Sequence, residues 1–207
     1  MKEYNIGDLI SDFLFENNLN TVFGVVSVHN IPILDAIAKR NLIKFIPARG
    51  EMGAGHMADG FARSSNNVGV VVTSTGPGAA NVVGALVEAR FAGTPLLHIT
   101  GQTATQNLDK QQGTVHDVPN QLEMMKSVSK KAYRISSSKD VLDVLEKALE
   151  DAITPPTGPV SIEVPIDIQR TIIKKQKTFS KVHIKEKNIP LGDLNSLDLI
   201  EEQIRKS

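Results

Sequence analysis

Short β-branched runs alternate along this chain with longer segments whose apolar residues recur at helical spacing. Ile6, Leu9, Ile10, Phe13 and Leu14 predict an amphipathic first helix. Thr21–Val26 and Ile43–Ile46 read as short strands, with a second helix between them marked by Ile31, Leu34, Ile37 and Ala38. Pro32 suits the first turn of that helix, where a missing N–H costs nothing. Glu51–Arg63 reads as a helix rich in small residues, and Pro77–Phe91 as another. Val68–Thr73 is nearly all β-branched, as expected of a central strand buried on both faces. Pro95–Thr100 is a further buried strand, and Val160–Val164, bounded by Pro159 and Pro165, is the last. Helices are expected near Asn120–Lys126 and from Val141 to Ile153, with Tyr133–Ile135 as an edge strand. This alternation predicts an α/β fold, a parallel sheet with helices on both faces.

Two stretches break the pattern. Gly101–Pro119 is polar and irregular, long enough to be a functional loop. Beyond Pro165 a lysine-rich stretch, Ile172–Asn188, has no sustained period and reads as a linker. Leu194, Leu197, Ile200 and Ile204 then begin a fresh amphipathic helix. The expected organisation is one domain over residues 1–170, a linker over 171–193, and the start of a truncated middle domain over 194–207. The alternative is that the last helix docks back on the first domain.

Composition adds mainly exclusions. Lys plus Arg and Asp plus Glu are equal at 23 each, so no charge excess argues for nucleic acid. There is no cysteine, which removes disulfides and thiol catalysis. The first residues carry no apolar stretch after a basic start, and no apolar run is long enough to span a bilayer. A soluble, cytoplasmic protein without a membrane partner is expected.

Local chemistry is ambiguous when each motif is taken alone. Gly53-x-Gly55-x-x-Ala58 matches the dinucleotide fingerprint in form, but its glycines fall inside a predicted helix, and no acid follows about 20 residues later. Small residues on one helix face equally suit a close subunit interface. The turn Ser74–Asn81 lacks the lysine of a phosphate-binding loop, so an ordinary strand-to-helix turn accounts for it. Glu51 stands at a helix start, where an acid can simply complement the helix dipole. His29, His56, His98, His116 and His183 show no zinc-like spacing, and no metal site is expected. His98, inside an apolar strand, reads as a core residue. His29 and His116 lie in loops that follow strands, where α/β sites gather.

Taken together, several ordered blocks resemble the acetolactate synthase-like family of thiamine-diphosphate enzymes. They are Val22–Pro32 (Val-Phe-Gly-Val-Val-Ser-Val-His-Asn-Ile-Pro), Arg49–Arg63 (beginning Arg-Gly-Glu-Met-Gly-Ala-Gly-His), Ser74–Asn81 (Ser-Thr-Gly-Pro-Gly-Ala-Ala-Asn), Pro95–Gln102, Gly113–Gln121 and Gly158–Val160. The resemblance covers nearly all of residues 1–170 and implies the aminopyrimidine-binding domain of a three-domain enzyme. It implies that Glu51 is catalytic: a glutamate there hydrogen-bonds the N1′ atom of the aminopyrimidine and favours the imino tautomer that deprotonates the thiazolium. Such a carboxyl needs a dry pocket to tune its pKa. By the same carry-over, Val26, Ser74, Pro77 and Asn81 join Glu51 around the cofactor, while His29 and His116 face the substrate. The implied substrate is a 2-keto acid, decarboxylated or carboligated. Magnesium and the diphosphate are implied to bind through a Gly-Asp-Gly…Asn motif that this sequence lacks, in a missing region or in a separate chain. The middle domain binds FAD in some members, and a homo-oligomer is the family's usual state.

The first loop reads Val26-Ser27 where Pro-Gly is usual, and Gly113–Gln121 departs from the synthase pattern. These departures leave the exact reaction open. The alpha subunit of a split decarboxylase of the sulfopyruvate or phosphonopyruvate type, and a non-catalytic remnant, are the alternatives.

Overall fold

The computed structural model describes residues 3–110, 112–175, 178–183 and 193–206. Part of the expected linker, residues 176–177 and 184–192, lies outside the described residues. The elements are α1 (Ile6–Glu16), β1 (Thr21–Gly24), α2 (Ile31–Arg40), β2 (Lys44–Pro47), α3 (Glu51–Ser65), β3 (Gly69–Thr73), α4 (Pro77–Asn81), α5 (Val83–Ala92), β4 (Leu96–Gln102), α6 (Gln121–Val128), β5 (Lys131–Arg134), α7 (Val141–Ile153), β6 (Pro159–Pro165), α8 (Ile166–Arg170) and α9 (Leu194–Lys206).

All six strands run parallel in the order β2-β1-β3-β4-β6-β5. Alternation along each strand sorts the core into two layers. Val22, Val70, Val72, Leu97, Ile99 and Ile162 face α1, α2, α7 and α8. Phe23, Val71 and Leu96 face α3, α5 and α6. The sheet is thus covered on both sides, which is why β3, β4 and β6 are buried along their whole length.

Local signals explain several helix ends. Asn5 and Asp8 close a reciprocal capping box at α1, with N–H···O distances of 2.8 and 2.9 Å. Asn41 and Asn66 end α2 and α3 in the left-handed conformation that asparagine tolerates. The single helix expected over Pro77–Phe91 is interrupted at Val82. β4 runs on to Gln102, because its pairing with β6 continues to Pro165. The irregular stretch therefore begins two residues later than the polarity pattern suggests.

The residues after α8 return to the domain's beginning. Ile6 N–H donates to Thr171 O at 3.1 Å, and Ile173 N–H to Tyr4 O at 2.9 Å. Phe179 and Val182 pack on the first core layer. On α9, Leu197, Ile200 and Ile204 are exposed. Among the described residues no helix is long and apolar enough to cross a membrane.

Chain order reverses between β1 and β3: β2 lies outside β1 on one side, and the remaining strands follow β3 on the other. In open parallel sheets the crevice at the carboxyl ends of such strands is where ligands bind. The loops leaving β1, β2, β3 and β4 all open on that edge.

Candidate active site

The turn after β3 is the centre of this edge. Gly76 adopts φ +56°, ψ −110°, a conformation that a side chain would strain. A Cβ there would also meet the His116 carbonyl oxygen at 2.0 Å, so the two loops approach backbone to backbone. His116 itself has φ +62°. Two residues on, a Cβ at Gly78 would lie 2.9 Å from Glu51 Oε1 and 2.7 Å from Ser74 Cβ. The missing side chain at Gly78 is what lets the Glu51 carboxylate settle against this turn. Gly78→Ala should therefore displace Glu51 and Ser74 and cost about 1–3 kcal/mol, the usual range for overpacking, readable as a lowered urea midpoint.

Glu51 is the first residue of α3, and its Oε2 accepts from Asn81 Nδ2 at 3.2 Å. The interruption at Val82 leaves Asn81 at the end of α4, with its amide on Glu51. The carboxylate is only partly buried, so the described residues do not close the dry pocket expected around it. Ser74 is buried and shares a 2.6 Å hydrogen bond with Ser27, which ties the β1 loop to the β3 turn. Pro77 opens α4. Val26 is exposed on the β1 loop, beside Ser27. Thus Glu51, Ser74, Pro77 and Asn81 converge on one turn, with Val26 on the neighbouring loop.

His29 and His116 also come together, with ring centroids 5.7 Å apart. His116 is exposed, whereas His29 is buried and its Nδ1 has no hydrogen-bond partner among the described residues. Burial holds the His29 pKa below the usual histidine value, and the nearby His116 and Arg170 charges act in the same direction. His29 is therefore neutral at neutral pH. His56 is exposed on α3, and His183 is exposed after α8. Among the described residues no three His, Asp or Glu side chains are grouped to hold a metal ion.

Local sequence reasoning missed a set of buried polar residues beneath the turn. Gln121 Oε1 accepts from Gly76 N–H at 2.5 Å and lies 3.0 Å from Thr75 Oγ1. Its Nε2 donates to Glu163 Oε1 at 2.9 Å. Glu163 is fully buried on β6, and its Oε2 accepts from Arg134 Nε at 2.6 Å. Burial pushes the Glu163 carboxyl above the ordinary carboxylate range, while Arg134 and the Gln121 amide pull the other way. The available signal was a glutamate, the one charged residue in β6, since a charge is rarely buried unless it is paired.

Comparison with known proteins identifies the family. The family model described as "Thiamine pyrophosphate enzyme, N-terminal TPP binding domain" matches residues 4–124. The chain is 32% identical over 168 residues to the mitochondrial acetolactate synthase catalytic subunit of Saccharomyces cerevisiae, covering 81% of this chain and 24% of that protein. It is 34% identical over 160 residues to the acetolactate synthase large subunit of Lactococcus lactis, covering 77% and 27%. With 2-hydroxyacyl-CoA lyase 2 of Danio rerio it shares 33% over 186 residues, covering 90% and 28%. The chain thus spans about a quarter of the length of these curated relatives. A six-stranded parallel sheet, a glutamate held at its switch-point crevice and this run of matches lead to one conclusion: the chain belongs to the thiamine pyrophosphate enzymes, as an N-terminal cofactor-binding domain of the acetolactate synthase-like kind.

Proposed function

We propose that this chain supplies the aminopyrimidine half of a thiamine diphosphate site, in an enzyme that decarboxylates or carboligates a 2-keto acid. The observation that carries the reading is the Glu51 carboxylate, held by Asn81 against a turn whose Gly78 leaves room for it. The residues fit the group: the turn is a cradle that a Cβ would fill, and the buried His29 Nδ1 is an unused polar atom on the same edge. When bound, thiamine diphosphate supplies the electron sink for breaking or making a bond next to a carbonyl.

The chain's own residues take the remaining roles. Glu51 holds a proton against the ring nitrogen of the aminopyrimidine, and Asn81 fixes the carboxylate's orientation. Ser74 and Pro77 form the wall on one side, and Val26 offers an apolar contact on the other. His29 and His116 face the substrate, where a neutral imidazole can accept a proton or donate a hydrogen bond.

The partly exposed Glu51 needs a further wall to become dry. We assign that wall, together with the magnesium and diphosphate ligands, to a domain outside this chain. The exposed Met52, Met57, Val87 and Phe91 of α3 and α5 give a homo-oligomer its contact face. A second reading, carbon–carbon cleavage as in a lyase, is favoured by the match to 2-hydroxyacyl-CoA lyase 2, which runs over 186 residues.

Calorimetric titration of the chain with thiamine diphosphate and magnesium tests the half-site. Weak binding is expected from the chain alone, with tightening once a diphosphate-binding partner is added. Tight binding by the chain alone would overturn the shared site.

A further inference from the structure

The turn that faces Glu51 is held from below by a continuous chain of polar groups that runs from the exposed Asp109 to the buried Glu163 and Gln121. It begins at Asp109, in the irregular stretch after β4, whose carboxylate pairs with Arg134 at 2.6 Å. Arg134 passes to Glu163, Glu163 to Gln121, and Gln121 to the Gly76 N–H. Gln102 lies alongside, its Nε2 3.4 Å from Glu163 and its Oε1 3.0 Å from Thr75 Oγ1. The links from Gly76 to Arg134 have a fixed direction, whereas the single Thr75 hydroxyl proton serves either Gln121 Oε1 or Gln102 Oε1. The Gly76 amide and the Thr75 hydroxyl both face Gln121 Oε1, so the Gln121 amide nitrogen must face Glu163. Glu163 must then accept on both oxygens, and only a carboxylate does so while also meeting Arg134.

We propose that Gln121, Glu163 and Arg134 are positioning residues, which set the Gly76–Gly78 turn and through it the Glu51 carboxylate that the cofactor requires. This rests on the cofactor reading above. None of the three touches Glu51 in this structure, and their effect passes through the backbone of the turn. Gly76 is the point of transfer, because it accepts packing from the His116 carbonyl on one side and donates to Gln121 on the other. The same chain explains a fully buried glutamate on β6. Replacing Glu163 with an apolar residue would leave the Gln121 amide and Arg134 short of acceptors.

The test reverses one link. Gln121→Glu alone sets two carboxylates against each other, and Glu163→Gln alone sets an amide nitrogen against either Arg134 or Gln121. Combined, they restore the Gly76, 121–163 and Arg134 links with the charge moved by one residue, and leave only the longer contacts of Gln102 Nε2 and Gly101 O, at 3.4 and 3.5 Å, mismatched. Amide spectra of the isotope-labelled 207-residue chain, without cofactor, report the turn directly. Each single change should move the Gly76 and Gly78 backbone resonances and the Asn81 side-chain amide, and the double change should return them towards their original positions. Single variants that leave these resonances in place would overturn the proposal. So would a double variant that melts like the parent without restoring them, since a merely structural role lowers the melting temperature and leaves the turn alone.

Should Glu163→Gln not fold, Gln121→Met carries the same test, because it keeps the Glu163–Arg134 pair. Movement of Gly76 and Asn81 supports the proposal, and unmoved resonances overturn it. In the assembled enzyme Gln121→Met should weaken thiamine diphosphate binding roughly tenfold, the usual consequence of one unsatisfied buried donor. The cofactor reading fails separately, if thiamine diphosphate with magnesium, raised far above the protein concentration, moves neither the Glu51 nor the Gly78 resonance of the parent chain.

Discussion

Glu51→Gln is expected to slow exchange of the C2 proton of bound thiamine diphosphate by roughly 10²- to 10⁴-fold, the range that one positioned proton-transfer group contributes. The substitution keeps the shape of the side chain and one acceptor for Asn81 Nδ2, now 3.2 Å away. It removes the group that can hold a proton against the ring nitrogen. The measurement belongs on the assembled enzyme, with the diphosphate-binding domain present, following loss of the C2 proton signal in deuterated solvent. Unchanged exchange would remove Glu51 from its role. Cofactor affinity should change far less than exchange, because the wall of the turn is intact.

Acidification should destabilise the fold through His98. This ring is fully buried in β4, with Nε2 2.9 Å from Thr73 Oγ1 and Nδ1 2.9 Å from Ser161 Oγ. Hydroxyls satisfy a neutral ring in either tautomer, but the surroundings offer no counter-charge to a cation. Burial accordingly pushes the pKa down from 6.5 to about 3. Between those values the unfolded chain binds a proton that the folded chain refuses, so stability falls as pH falls. The contribution is complete above pH 6.5 and is lost progressively down to about 3. It amounts to roughly 5 kcal/mol, a large share of a domain's usual 5–15 kcal/mol. His29, whose pKa is also lowered by burial, adds in the same direction. Urea unfolding at pH 7, 5 and 4 should show a steeper loss for the parent than for His98→Gln. Parallel losses would show that His98 does not titrate in this way.

Both residues were legible in the sequence, for different reasons. His98 sits in an apolar run whose pattern already demanded burial, so its neutrality followed from the strand. Glu51 was locally only an acid at a helix start. The role proposed for it rests on the ordered blocks around it, and the structure adds its surroundings: Asn81, Gly78 and the nearby Ser27–Ser74 tie. The interruption at Val82 was not legible, because apolar spacing runs through it unbroken. The start of the irregular stretch was misplaced because Gly101 and Gln102 look like loop residues and are held in β4 by β6.

What the sequence by itself determined is the alternation of strands and helices, the burial of β3 and β4, the placing of Glu51 at a helix start, and the placing of the two histidines in loops that follow strands. These are short-range properties, set by side-chain period and turn chemistry within a few residues. Only the tertiary structure decided which loops meet. Ser27 and Ser74 are 47 residues apart, Gly76 and Gln121 are 45 apart, and Gln121 and Glu163 are 42 apart. No local period carries such pairings. They follow from the strand order, which brings β1 beside β3 and β4 beside β6, and so turns separate polar residues into one buried chain beneath Glu51.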